Sequence, residues 1–304
     1  MKQKYIIAIL TVVIIILSII LIVISTASCS MVSPVLSSMR NRDSYWKYEF
    51  KQNLKEPNRD PNPNEYDPKD CLLFLDLHHR LYKFSELVPD TMIHIGTFNN
   101  GPFLRLRVWK SKQYHQYYIV FGGCAPKSGD DRRCTHYNLI SPYEDEPNIK
   151  VHQGFYECFE EDYKIVLENF VEQYPDVLDN KNTIYLAGQS LGSIQAMFSA
   201  IYLKGKGAND IRMFTFASSR IGNIEMVNKI NNACTEYFNF LNTEDLFCNM
   251  PMAIMPHYRH QSRGLGYYHA GIKVIWLTMN EESICANHST KTYIKLMNKE
   301  LENH

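Results

Sequence analysis

Thr183-Ile184-Tyr185-Leu186-Ala187-Gly188-Gln189-Ser190-Leu191-Gly192-Ser193-Ile194 is the run on which the fold turns. A short apolar series of β-formers meets Gly188, then Ser190, then Gly192, and continues into helix-forming residues. That order predicts a strand, a sharp turn and a helix, the setting in which G-x-S-x-G presents a serine hydroxyl at the carboxyl end of a sheet. Gly188 and Gly192 suit the turn because strand and helix approach closely there. The N–H of Leu191, at the helix start, is expected to face whatever the serine attacks. A tight turn alone can carry the same letters, so the rest of the chain has to supply a base and an acid.

Working outward, residues 154–174 place Phe155, Phe159, Tyr163, Val166, Phe170 and Tyr174 at helical intervals, and Pro175 ends the run. Glu160, Glu161, Asp162, Glu168 and Glu172 then read as a solvated acidic face. Beyond the elbow, a helix to about residue 204 is followed by a strand at 210–217 and a helix at 225–234. Strands at 236–241 and 273–279 and a helix at 289–301 complete the chain. Upstream, 72–87 reads as a helix, and 103–109 with 114–121 as antiparallel strands. Alternation of strand and helix predicts an α/β fold with a central, mostly parallel sheet flanked by helices. Active sites in such sheets form at the carboxyl ends of the strands.

Composition bounds the partners. The chain has 304 residues, 45% of them hydrophobic, and a formal net charge of +0. That supports a sizeable core and gives no sign of a polyanion-binding surface, so no nucleic-acid partner is expected. Lys2 and Lys4 precede an apolar stretch, residues 5–24, interrupted by Thr11 and Ser18 alone. Its length fits a membrane-crossing signal anchor, and the small residues after it also fit a signal peptide cleaved near Ala27. Residues 1–28 are read as that segment. Everything beyond is then translocated, either tethered by a single pass with its N-terminus cytoplasmic or secreted. Residues 29–70, with Pro57, Pro61, Pro63 and Pro68 among polar residues, read as a spacer, and 71–304 as one domain.

The eight cysteines show no zinc-like spacing, and no metal is expected. In a translocated chain they read as disulfides, with Cys124–Cys134 the best local pair because the loop between them is polar. Asn287-His288-Ser289 is a glycosylation sequon.

A serine hydroxyl needs a histidine to take its proton and a carboxylate to orient that histidine. Downstream of Ser190 lie His257, His260, His269, His288 and His304. Glu244 and Asp245 follow a strand and tie on position. His269 is attractive because it precedes Ala270-Gly271 and the strand at 273–279.

Several blocks, in order, match a family. Ile119-Val120-Phe121-Gly122-Gly123-Cys124 resembles an apolar F-R-G-T/S strand end, and Val151-His152-Gln153-Gly154-Phe155 is similar to V-H-x-G-F. Gly188-Gln189-Ser190-Leu191-Gly192 resembles G-H-S-L-G, and Thr215-Phe216-Ala217-Ser218-Ser219-Arg220-Ile221-Gly222-Asn223 resembles T-x-G-x-P-R-V-G-N. Asn242-Thr243-Glu244-Asp245 with Met250-Pro251 is similar to N-D-x-V-P-x-L-P, and Tyr268-His269-Ala270-Gly271 to Y-H-x-G. Across about residues 114–293 the chain resembles the class 3 lipases, the group that includes fungal triacylglycerol lipases.

The resemblance implies an α/β-hydrolase fold and hydrolysis of lipid esters through an acyl-enzyme, without a cofactor. It implies Ser190 as nucleophile, Asp245 rather than Glu244 as acid and His269 as base. The implied oxyanion donors are the backbone N–H groups of Leu191 and Cys124. Phospholipase A1 or small-ester esterase activity is the nearest alternative, and a catalytically silent binding module at a membrane is the alternative of another class. Gln189, Ser193, Gly122, Cys124 and Cys248 depart from the family pattern. Gly122 takes the place of an arginine that anchors the oxyanion loop, and Cys124 that of a hydroxyl residue. His152 reads as a buried structural histidine, and His288 with Tyr293 resembles the closing H-x-x-Y packing pair at altered spacing. The family's lid corresponds to about 125–150, which is polar and proline-containing here, so weak interfacial activation is expected.

Overall fold

The structure, a computed structural model, describes residues 54–81, 89–101, 103–124, 140–251 and 266–303. One sheet of seven strands runs in the order β1 (Met92–Asn100), β2 (Phe103–Ser111), β3 (Gln116–Phe121), β6 (Thr183–Gln189), β7 (Asp210–Phe216), β8 (Glu236–Asn242) and β9 (Lys273–Leu277). β1, β2 and β3 pair antiparallel. From β3 through β9 every pairing is parallel. A separate antiparallel hairpin joins β4 (Ile140–Tyr143) to β5 (Glu146–His152).

The opening run thus forms the central strand. All residues of β3 and β8, and all but the first of β6 and β7, are buried, as expected where helices cover both faces of a parallel sheet. Strand alternation sends Tyr117, Ile119, Phe121, Ile184 and Leu186 into one core. That core is closed by α2 (Gln153–Cys158), α3 (Lys164–Gln173), α4 (Leu191–Gly205) and α5 (Ile224–Ala233). Tyr118, Tyr185, Phe214 and Phe238 face the other way. There Phe74 of α1 (Pro68–Leu81) stacks on Phe214 with centroids 4.4 Å apart. The short α6 (Ile284–Asn287) and then α7 (Thr290–Asn303) end the chain.

Several expectations are corrected. The helix read as continuous over 154–174 contains a π turn, Phe159–Tyr163, between α2 and α3. Of its acidic run, Asp162 is not solvated: it is buried and pairs with Arg105 at 3.1 Å. Residues 54–67 are not a free spacer. The Gln116 amide donates to Pro57 O (2.7 Å), and Arg59 pairs with Glu236 (2.8 Å) and Asp70 (3.1 Å). Arg212 donates to Arg59 O (2.7 Å), and the Tyr66 hydroxyl to Glu300 (2.9 Å). This prolyl stretch, without regular secondary structure, is held against the domain because side chains of the sheet and helices satisfy its polar groups, so the packed unit includes residues before 71.

Among the described residues, Cys71, Cys124, Cys234, Cys248 and Cys285 carry free thiols. Cys71 is buried as a small apolar side chain, which is how a free cysteine ordinarily serves a core, while Cys158 and Cys248 are also buried. Cys134 lies outside the described residues. The sequon is also poorly placed for a glycan. Asn287 is 5% exposed, its Nδ2 donates to Glu244 O (3.1 Å) and its Oδ1 accepts from Glu281 N (2.7 Å). The apolar residues 5–24 fall outside the described residues. Among those described, no helix is long and apolar enough to cross a membrane.

Candidate active site

The elbow is built by close contact. Ser190 has φ 58° and ψ −128°, a conformation that L residues rarely adopt and that costs about 1–3 kcal/mol where it is enforced. A Cβ on Gly188 would stand 2.3 Å from the Gly192 backbone, and one on Gly192 would stand 2.5 Å from Phe121 O. Both positions therefore exclude any side chain. Ser193, in place of the second glycine of the family pattern, ties the turn down. Its Oγ lies 2.8 Å from both Gly188 O and Phe216 O, and its single proton is shared between them. Ser190 N–H donates to Phe216 O at 3.0 Å, continuing the β6–β7 ladder past the strand end.

Asp245 follows β8 at the same edge of the sheet. Its Oδ1 accepts the Phe247 N–H (3.0 Å), capping the 3-10 turn Leu246–Asn249. Its Oδ2 gathers three donors: His288 Nδ1 (2.7 Å), the Tyr293 hydroxyl (3.1 Å) and the Cys248 thiol (3.3 Å). Burial pushes this carboxyl up. The charge and hydrogen bond of His288, with the Cys248 and Phe247 donors, outweigh it and hold Asp245 below the usual carboxylate range. Glu244, its neighbour and rival, is exposed.

The histidine at this site is His288. It caps the end of α6, is 8% exposed, and sets Nε2 2.7 Å from Ser190 Oγ. With Nδ1–H given to Asp245, Nε2 carries the lone pair, so the serine hydroxyl is the donor in that contact; this tautomer follows from the partners. Gln189, immediately before the serine, donates its amide to His288 O at 2.6 Å. The side chain next to the nucleophile thereby holds the backbone of the histidine.

His269 is elsewhere, which corrects the expectation that it meets Ser190. Its ring stands edge-on to Trp276, with centroids 5.5 Å apart at 85°. Both ring nitrogens are buried without a hydrogen-bond partner among the described residues. Burial, reinforced by Arg220, lowers its pKa to about 3. The local signal for His269 was its place before a glycine and a strand. The signal for His288 was the following tyrosine, since Tyr293 reaches the same carboxylate oxygen, but the altered spacing disguised it. His152 is structural: it is fully buried and its Nδ1 accepts the Phe155 N–H at 3.2 Å. His257, His260 and His304 lie outside the described residues.

Opposite the elbow, Gly122-Gly123-Cys124 leaves the end of β3. Leu191, first residue of α4, and Cys124 are the two expected oxyanion donors; Leu191 is buried and Cys124 half-buried. The contact of Gly192 with Phe121 O seats the helix start directly on this loop. Of the lid region, 125–139 lie outside the described residues, and 140–150 fall within the β4–β5 hairpin.

The sequence model of the family described as lipase (class 3) matches residues 129–255. That span contains Ser190 and Asp245 and ends before His269 and His288. The chain is similar to the chloroplastic galactolipase DONGLE of Arabidopsis thaliana, 26% identical over 190 residues, 53% of this chain and 40% of that protein. It is also similar to the secreted mono- and diacylglycerol lipase A of Penicillium cyclopium, 28% identical over 118 residues, 38% of this chain and 35% of that protein. The chain thus spans two fifths or less of these relatives' length. In structure it resembles the Rhizomucor miehei lipase of a propeptide complex, with a TM-score of 0.54 at 17% identity, covering 76% of this chain and 77% of that one. The fold is accordingly that of the fungal lipases, an α/β-hydrolase fold.

Proposed function

We propose that this chain, a relative of the class 3 lipases, hydrolyses carboxylic esters of lipids with Ser190 as nucleophile, His288 as base and Asp245 as orienting acid. The observation that carries the reading is the continuous relay in which His288 stands 2.7 Å from both Ser190 Oγ and Asp245 Oδ2. His288 Nε2 takes the serine proton as Oγ bonds to the ester carbonyl carbon. Asp245 stabilises the imidazolium so formed. The backbone N–H groups of Leu191, at the start of α4, and of Cys124 are assigned to the developing oxyanion, since donors fixed before charge develops stabilise it most. Imidazolium then protonates the leaving alcohol as the ester C–O bond breaks. Water, deprotonated by the same ring, attacks the acyl-enzyme and releases the acid and free Ser190.

The named activities of the relatives, galactolipase, phospholipase A1 and mono- and diacylglycerol lipase, share an acyl ester on a glycerol lipid, and that is the substrate class inferred here. The apolar residues 5–24 are read as the export segment, retained or cleaved, which brings substrate and domain together outside the cytoplasm; N-terminal sequencing of the mature protein distinguishes the two forms.

A fluorophosphonate probe tests the chemistry. Labelling is expected on Ser190 and absent in Ser190→Ala, and a lipid-class screen of the same pair is expected to show fatty-acid release by wild type alone. Folded wild-type protein that neither labels nor releases fatty acid would sink the reading.

A further inference from the structure

Resting on that reading, we propose that Tyr163 is the positioning residue of the oxyanion loop, holding the Gly122–Gly123 peptide from which the chain runs on to the Cys124 N–H assigned to the oxyanion. Gly122 has no side chain with which to anchor itself, yet both of its backbone polar groups are engaged. Its N–H donates to Arg105 O at 2.8 Å, extending the β2–β3 ladder, and its carbonyl accepts the Tyr163 hydroxyl at 2.9 Å. The carbonyl of Gly122 and the N–H of Gly123 belong to one planar peptide unit, so fixing the former fixes the direction of the latter. Glycine backbones are the least restricted of any residue, so a hydrogen bond on the carbonyl between two glycines narrows that plane most where the chain itself constrains it least.

Tyr163 is itself immobilised. It is fully buried, and the Arg105 guanidinium lies over its ring, 4.9 Å from the centroid. Arg105 pairs with Asp162 at 3.1 Å, and Asn100 donates to the other oxygen of Asp162 at 2.8 Å. The π turn Phe159–Tyr163 is what makes this arrangement possible. It widens the helix so that Asp162 and Tyr163, adjacent in sequence, both turn toward the sheet. A buried ion pair is weak evidence for stability and better evidence for fixing one arrangement over others. Here the arrangement it fixes is the tyrosine under the loop.

The test is Tyr163→Phe in the full chain, which keeps the ring and its cation contact and removes one oxygen. kcat for a short-chain ester is expected to fall about 10-fold to 100-fold, within the range of a compromised oxyanion donor, with KM unchanged. Alkylation of Cys124 by iodoacetamide, followed by peptide mass mapping, is expected to quicken several-fold, while Cys285, on α6 and without contact to Tyr163, keeps its rate. Wild-type values of both kcat and Cys124 reactivity would overturn the proposal. So would a fall in kcat with Cys124 unchanged, because the hydroxyl would then act elsewhere. If wild type shows no ester hydrolysis, the esterase reading fails, and the Cys124 rate still decides whether Tyr163 holds the loop.

Discussion

His288 and Ser190, 98 positions apart, stand 2.7 Å from Nε2 to Oγ, and the far side of the same ring reaches Asp245. The contact joins the end of α6 to the end of β6. Neighbouring contacts hold its members: the Ser190 turn, the Gln189 amide on the histidine backbone, and the Tyr293 and Cys248 donors on the Asp245 oxygen that faces His288.

His288→Ala is therefore expected to lower kcat for a soluble ester by about 10⁴-fold or more, as removal of a triad base does. His269→Leu, which trades a buried ring that packs on Trp276 for an apolar group, is expected to leave kcat near wild type. Steady-state kinetics of the two variants separates the histidines. Loss of turnover in His269→Leu with normal folding would reverse the assignment.

Gln189→Met keeps the volume and removes the donor to His288 O. The buried carbonyl then lacks its partner, a loss of about 1–3 kcal/mol. Part of it should appear as a drop in kcat of about 10-fold, because the carbonyl belongs to the residue proposed to take the proton. Equal values of kcat and of the melting midpoint in both proteins would show the clamp to be idle.

Gly192→Ala and Gly205→Ala make a matched pair within α4. The Cβ at 192 would meet backbone oxygens at 2.5 and 3.0 Å, whereas nothing lies within 4 Å of one at 205. The first substitution is expected to destabilise the fold by about 1–3 kcal/mol, as overpacking does, and to abolish Ser190 labelling. The second, at the last residue of the helix, should be neutral or stabilising by up to about 1 kcal/mol. Chemical denaturation with a common m-value measures both.

Stability should weaken in mild acid. Burial, aided by His79 for one and Arg220 for the other, lowers the pKa of both His78 and His269 to about 3 from 6.5. Between those values the unfolded chain takes protons that the folded chain refuses. The contribution is whole above pH 6.5 and drains as pH falls toward 3, by about 1.4 kcal/mol per pH unit for each histidine. Asp70 works in the opposite sense, since burial, against the pull of Arg59, raises its pKa to about 6. The difference between wild type and His269→Leu isolates one histidine: calorimetry from pH 7 to 4 should show the variant losing less stability. Parallel curves would refute the assignment of a buried neutral His269.

How much of this was legible in the chain follows from the range of the interactions. The elbow could be read because its causes are consecutive: β-formers, two glycines where Cβ atoms collide, and helix formers directly after. The parallel sheet was legible for the same reason, from strand and helix periods in alternation. Asp245 could be separated from Glu244 by a family pattern of neighbouring residues, and one of the two is buried while the other is exposed.

Which histidine meets Ser190 was not legible. His269 and His288 both follow the acid in order, and the choice between them depends on which one the α6–α7 turn and Gln189 deliver to Ser190. The inward turn of Asp162 was equally hidden, because an α-helical period puts it on the wet face and the π turn rotates it to meet Arg105. The docking of residues 54–67 depends on Glu236, far along the chain. Local propensity and steric exclusion act between neighbours, so they are written in the order of residues. Which buried nitrogen faces which hydroxyl depends on contacts between distant segments, and these exist once the sheet and its helices have closed around them.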